Sequence, residues 1–183
     1  MYRLIILTSV ICFFLMFLLL STFPQVVYYC ILNDIGSGKF YLHQLITHQF
    51  LHINTRHLIF NMIGFVILAP AVEKKIGHLS FLYNYLIIGS LSGLSHVIFS
   101  DVGLIGASGS IWGIWTLYAM LYPNKKFSGI SIKHLILFLF IVEGYDTFFP
   151  DKSNVSHIAH FSGGVFGLLI YLINKKKWTL RQS

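Results

Sequence analysis

The sequence predicts an all-α membrane protein, and three observations carry that prediction. Of its 183 residues, 56% are hydrophobic and only 10% are charged, where a soluble domain of this size carries about a quarter charged residues. The apolar residues gather into long runs, the form taken by helices that must cross a hydrocarbon core. The basic residues, which set a formal net charge of +7, sit in short clusters at the ends of those runs. Membrane topology signals have that placement, whereas a nucleic-acid surface would gather its charge on one face. Nucleic acid is therefore excluded as a partner, and membrane lipid is expected. No linker, low-complexity tract or internal repeat divides the chain, so residues 1–183 are expected to form a single domain. Cys12 lies inside an apolar run and Cys30 beyond it, so a disulfide framework is not supported.

Six segments are expected to cross, at about residues 4–22, 57–72, 79–99, 108–121, 131–144 and 156–173. The first follows Arg3 and invites comparison with a signal peptide. It exceeds the usual apolar stretch of about 7 to 15 residues, and "STFPQ" offers no small-x-small cleavage site, so it reads as a retained helix. If the N-terminus is cytoplasmic, Arg3, Lys74, Lys75, Lys125, Lys126, Lys133, Lys175, Lys176, Lys177 and Arg181 all fall inside. Those are ten of thirteen basic residues, leaving Lys39, Arg56 and Lys152 outside. The asymmetry predicts that both termini are cytoplasmic.

The fourth segment is short. Fourteen residues from Ser108 to Leu121 make roughly 21 Å of helix, against a hydrocarbon core of about 30 Å. Its N-terminus, and the stretch "DVGLIGA" before it, must then be buried in protein or line a wet cavity, because lipid cannot satisfy free backbone groups. Ser108 is expected at the floor of such a cavity.

Polar residues gather on two other segments. In "HQFLHINTRHLIFN", His57 and Asn61 are four apart and share a helix face with Gly64. In "SHIAHFSGGVFG", His160 shares a face with Gly163, Gly164 and Gly167, which let a neighbouring backbone come close. Singly, each has a plain reading: Ser108 as a small packing residue, His160 as a hydrogen-bonded interior histidine, Asn61 as interhelical glue. Together they supply a nucleophile, a base and oxyanion donors. A serine hydroxyl needs a base to take its proton, and a neutral imidazole suits that task. Attack on an amide then makes an oxyanion, for which His57, the Asn61 side chain and the Ser108 backbone N–H are candidate donors, aided by the helix N-terminus. No carboxylate lies near His160 on its own helix, so the residues read as a dyad.

Metal chemistry is the competitor, since the chain has nine histidines. His48 and His52 are four apart, yet "HQFLH" lacks the glutamate of an H-E-x-x-H site. Glu73 and Glu143 fall only at the ends of expected spans. A zinc protease is disfavoured, and neither metal nor other cofactor is expected. His43, His48 and His52 read as part of an amphipathic external loop at the membrane interface; the pattern assigns no role to His157.

These motifs resemble the rhomboid intramembrane serine proteases. "GASG", residues 106–109, is similar to that family's G-x-S-G nucleophile motif, and "HINTRHLIFN" to its second-helix His and Asn motif. "AHFSGGVFG" resembles its A-H-x-x-G-x-x-x-G motif on the sixth helix, and "AVEKKIG", residues 71–77, the end of its second helix. The resemblance runs from about residue 40 to 170. It implies a six-helix rhomboid-like bundle with a short, partly buried fourth helix, with Ser108 as nucleophile and His160 as base. It further implies that His57 and Asn61 stabilise the oxyanion and that Trp112 packs near His160. Gly106, Gly109, Gly163 and Gly167 are the supporting glycines of the motifs. One departure stands out: many members carry Trp-Arg in the first external loop, where this chain has His43 and Gln44.

The expectation is therefore a serine endopeptidase of the cell (inner) membrane that cleaves a transmembrane protein substrate near the outer face. It takes the minimal six-helix form, and no oligomeric state is specified. The fifth helix and the loop "EGYDTFFPDKSN", residues 143–154, are candidates for gating substrate entry. The alternative is a catalytically silent rhomboid-like protein that captures membrane clients, against which the retained Ser108 and His160 argue. A small transporter lacks support, since paired intramembrane acids and inverted repeats are missing from the sequence.

Overall fold

The structure, a computed structural model, describes residues 1–149 and 156–180. Its helices are α1 (Tyr2–Thr22), α2 (Pro24–Cys30), α3 (Gln44–Thr47), α4 (Thr55–Ile76), α5 (His78–Phe99), α6 (Ser108–Leu121), α7 (Ile132–Phe148) and α8 (His157–Leu180). Among the described residues, four segments are long and apolar enough to cross a membrane: Tyr2–Leu20, Thr55–Ile76, His78–Phe99 and His157–Trp178. α6 and α7, with 14 and 17 residues, are shorter than these. An all-α membrane protein is what the architecture shows.

α1 illustrates how the chain divides its surface. Ile5, Ser9, Phe13 and Met16 are buried at helical spacing, while Leu4, Leu7, Ile11, Phe14 and Leu18 are exposed. Apolar exposure on this scale marks a surface that something apolar must cover, and on helices of this length lipid does so. The first turn of α1 is tied to the bundle by Glu73, whose buried carboxylate accepts the Tyr2 backbone N–H at 2.7 Å. A carboxylate at that place also complements the helix dipole. His78 bonds the same carboxylate from the start of α5.

α6 stands at the centre, touched by α4, α5, α7 and α8. Ile111 and Leu117 join Ile114 in a core with Phe65 and Val72 of α4 and Tyr85 of α5. The closest neighbour is α8, because glycines on both sides remove the side chains that would hold them apart. A Cβ on Gly167 would lie 2.5 Å from the Gly113 carbonyl oxygen, and one on Gly163 would collide with the Gly109 carbonyl. A helix enclosed on every side has no lipid-facing surface, so its shortness leaves no backbone bare.

Several elements run past the apolar segments that announced them. α8 continues through Lys175–Lys177 to Leu180, and Trp178, 2% exposed, docks into the core. α4 passes through Pro70 and its lysine pair to Ile76. Between α6 and α7 the strands β1 (Lys126–Phe127) and β2 (Ile130–Ser131) form a small antiparallel hairpin in the register Lys126↔Ser131 and Phe127↔Ile130. Its two turn residues, Ser128 and Gly129, both have positive φ, 48° and 82°, as a tight two-residue hairpin turn requires.

Where the sequence departs from the rhomboid pattern, Gln44 ties the first loop together. Its buried side chain accepts from the backbone N–H of Asn33 at 3.3 Å and of Tyr41 at 3.1 Å. It donates to the carbonyls of Tyr29 at 3.2 Å and Lys39 at 3.1 Å. His43 stays exposed and stacks on Tyr29 and Tyr41. The expectation that His43, His48 and His52 share an interfacial loop is corrected for two of them: His48 is 1% exposed and His52 is 0%. For His48 the physical reason is the small residue Gly93 on α5, where a Cβ would stand 2.9 Å from its ring, while His52 packs edge-on against His57 with ring centroids 5.0 Å apart. Burial pushes His48 down to about 4 and His52 down to about 3, so both are neutral near pH 7.

Candidate active site

The loop before α6 is held on both sides. Leu32 and Leu104 exchange backbone hydrogen bonds of 3.1 and 2.8 Å, and the Gly106 N–H donates to the His48 carbonyl at 2.9 Å. Gly106 has φ +125°, and a Cβ there would lie 2.7 Å from His57 Cε1 and 3.6 Å from Asn61 Nδ2. Both the backbone conformation and the lack of room demand glycine. Two residues before Ser108, then, the chain runs against His57 and Asn61.

α4 delivers those two side chains. Asn54 caps the helix, its side chain accepting the His57 backbone N–H at 2.8 Å. Asn61 follows one turn later on the same face, buried, and its Nδ2 has no hydrogen-bond partner among the described residues. A buried donor without a partner costs roughly 1 to 3 kcal/mol, so this amide is held ready for an acceptor at some expense in stability.

Ser108 is the first residue of α6 and is half-buried. Its backbone N–H belongs to the first turn, where helical N–H groups have no partner within the helix. Ser110, two residues on, is buried and donates to Gln49 Oε1 at 3.1 Å. Of the two hydroxyls, Ser108 is the more accessible.

α8 brings His160 to the same place. A Cβ on Gly109 would lie 3.3 Å from the Ala159 carbonyl oxygen, so the two helices meet within one residue of both Ser108 and His160. The Trp112 ring, one turn after Ser108, stacks on His160 with centroids 5.7 Å apart and planes at 29°. No hydrogen bond joins Ser108 to His160 among the described residues. His160 instead uses Nδ1, which is 3.0 Å from Glu143 Oε1.

Glu143 is the residue that sequence reasoning missed. It comes from α7, and its other oxygen, Oε2, takes His157 Nδ1 at 2.8 Å. Asp146 lies 3.9 Å from that nitrogen. The sequence held a partial signal: His157 and His160 are three apart on one helix face, and Glu143 is one of two acidic residues at the end of an expected span. Their meeting across two helices has no sequence spacing to announce it. Glu143, His157 and His160 also offer one ligand atom each within 4.8 Å of one another, so these three could hold a metal ion. Both carboxylate oxygens are already engaged, one by each imidazole.

Residues 39–177 match the model of the rhomboid domain. The chain belongs to the rhomboid family. It is 31% identical over 134 residues to the rhomboid protease GluP of Bacillus subtilis, an alignment covering 72% of this chain and 26% of the relative. It is 30% identical over 145 residues to the rhomboid proteases GlpG of Salmonella newport and Salmonella typhi, covering 77% of this chain and 52% of each. The chain thus spans about half, or less, of the length of these curated relatives. Rhomboid membership and the apolar helices together make it a multi-pass membrane protein.

Proposed function

We propose that this chain is an intramembrane serine endopeptidase that cleaves transmembrane proteins near the outer membrane face, with Ser108 as nucleophile and His160 as base. The observation that carries the reading is the meeting of α6 and α8 between Gly109 and Ala159, beside an Asn61 amide whose nitrogen has no hydrogen-bond partner among the described residues. The names of the relatives support the same activity.

In the first step the Ser108 hydroxyl gives its proton to His160 Nε2 while Oγ bonds to the substrate carbonyl carbon. The carbonyl π pair moves onto oxygen, and the oxyanion is taken by Asn61 Nδ2, the His57 ring N–H and the Ser108 backbone N–H. Collapse breaks the C–N bond, and the imidazolium proton passes to the departing amine. A water molecule, its proton taken by His160, then releases the acyl group and restores Ser108. The substrate must present an unwound backbone, since a helical amide is hydrogen-bonded and closed to attack. Gly106, Gly109, Gly163 and Gly167 bring the backbones together, and Trp112 fixes the imidazole plane.

Six crossings with both termini cytoplasmic, in an inner membrane, complete the reading, with α6 and α7 as the short spans. Of the proposed gating loop, residues 150–154 lie outside the described residues. The test is fluorophosphonate labelling of the detergent-solubilised protein, paired with cleavage of a transmembrane substrate in proteoliposomes. Labelling and cleavage should both vanish in Ser108→Ala. A folded parental protein that takes no label and cleaves nothing would favour a client-binding role.

A further inference from the structure

We infer that Glu143 is a positioning residue for His160, holding the imidazole of the Ser108–His160 pair in the tautomer that the pair needs. The inference rests on the protease reading above. Its basis is the carboxylate held between two imidazoles, with Oε1 3.0 Å from His160 Nδ1 and Oε2 2.8 Å from His157 Nδ1.

An imidazole can serve as base only if its acceptor nitrogen faces the hydroxyl, and the tautomer is set by the hydrogen bond at the other nitrogen. A carboxylate only accepts, so the Nδ1 beside Glu143 must carry the proton. Nε2 is then left as the acceptor for the Ser108 proton. When that proton arrives, His160 becomes an imidazolium, and the Glu143 charge stabilises it without taking a proton itself. His157 holds the second oxygen and so fixes the plane of the carboxylate. Both partners are largely enclosed, with side chains 13% exposed each, so the charge acts through little water.

The titratable groups around His160 are Glu143 and Asp146 from α7, His157 on its own helix, and His57 from α4. Of these, Glu143 makes the direct contact. Removing its charge disfavours the imidazolium. The neutral imidazole is the active form. The acidic limb of kcat/KM should therefore move to lower pH even as the plateau falls.

Glu143→Gln keeps the shape and removes the charge. In proteoliposomes its kcat should fall by about 10² to 10⁴, KM should stay within about twofold, and the acidic limb should shift downward. Glu143→Asp, with the charge retained but withdrawn by one methylene, should recover part of the rate and part of the shift. Thermal unfolding of each variant identifies a folding defect, and the aspartate variant carries the test if the glutamine variant does not fold. A folded Glu143→Gln with parental kcat and an unmoved acidic limb would sink the inference. Ser108→Ala is run alongside: its cleaving at the parental rate would overturn the protease reading and this one with it. Chelator inactivation of the parental protein, reversed by zinc, would overturn the inference in favour of a metal held by the same three residues.

Discussion

Asn61 and Ser110 show how two polar side chains close to one helix terminus have opposite fates. Ser110 is buried with its hydroxyl committed to Gln49, and nothing is left over for chemistry. Asn61 is buried with its amide nitrogen uncommitted among the described residues, 3.6 Å from where a Cβ on Gly106 would stand. If that amide serves the oxyanion, Asn61→Ala should lower turnover by about 10² to 10³. KM should barely change, because the acceptor exists only in the transition state. The same substitution removes an unsatisfied donor, so thermal stability should hold or rise slightly. A folded Asn61→Ala with parental kcat would assign the residue to packing. Ser108, His160, His57 and Asn61 were readable as candidates because serine, histidine and asparagine are costly inside a bilayer and stand out against apolar neighbours. Glu143 was not, since its meaning depends on which helix faces α8.

Among the elements, α6 and α8 form the contact on which the proposed site depends, and glycine is what makes that contact possible. Gly109, Gly113, Gly163 and Gly167 place backbone against backbone, an arrangement worth more in a bilayer than in water because helices there gain from close packing and not from excluding solvent. Gly163→Val would insert two methyl groups and a Cβ where the Gly109 carbonyl stands. The helices must separate, at a cost of about 1 to 3 kcal/mol. The melting temperature in detergent should drop, and cleavage should fall more steeply than stability, since His160 is one turn away on the displaced helix. Parental activity in Gly163→Val would show that the contact does not set the site. The small-residue spacing on α8 announced a close neighbouring backbone in the sequence, but not which helix would supply it. The hairpin at 126–131 and the buried turn at 44–50 gave no such notice, being too short for any period to register; His48 looked like a surface residue because the room for its ring comes from Gly93 on a distant helix, α5.

At the scale of the whole molecule, the question is how the proposed site, which needs water, can be built below a lipid surface. α6 is enclosed by four other helices, so a 14-residue helix can begin within the membrane without exposing its free N–H groups to lipid. α7, at 17 residues, would span roughly 26 Å, near enough to a core of about 30 Å for a crossing with slight local thinning. If both cross, the basic clusters at Lys74–Lys75, Lys125–Lys126 and Lys175–Lys177 all face one side, as the positive-inside pattern requires. Were α6 and α7 instead a re-entrant pair, the hairpin with Lys125 and Lys126 would be stranded at the outer surface or within the lipid. Reporter fusions separate the two arrangements. A phosphatase that is active only outside should be silent when joined after Asn124 or at the C-terminus, and active when inserted after Gly38; an active phosphatase after Asn124 would remove two crossings and leave the four long helices as the only spans.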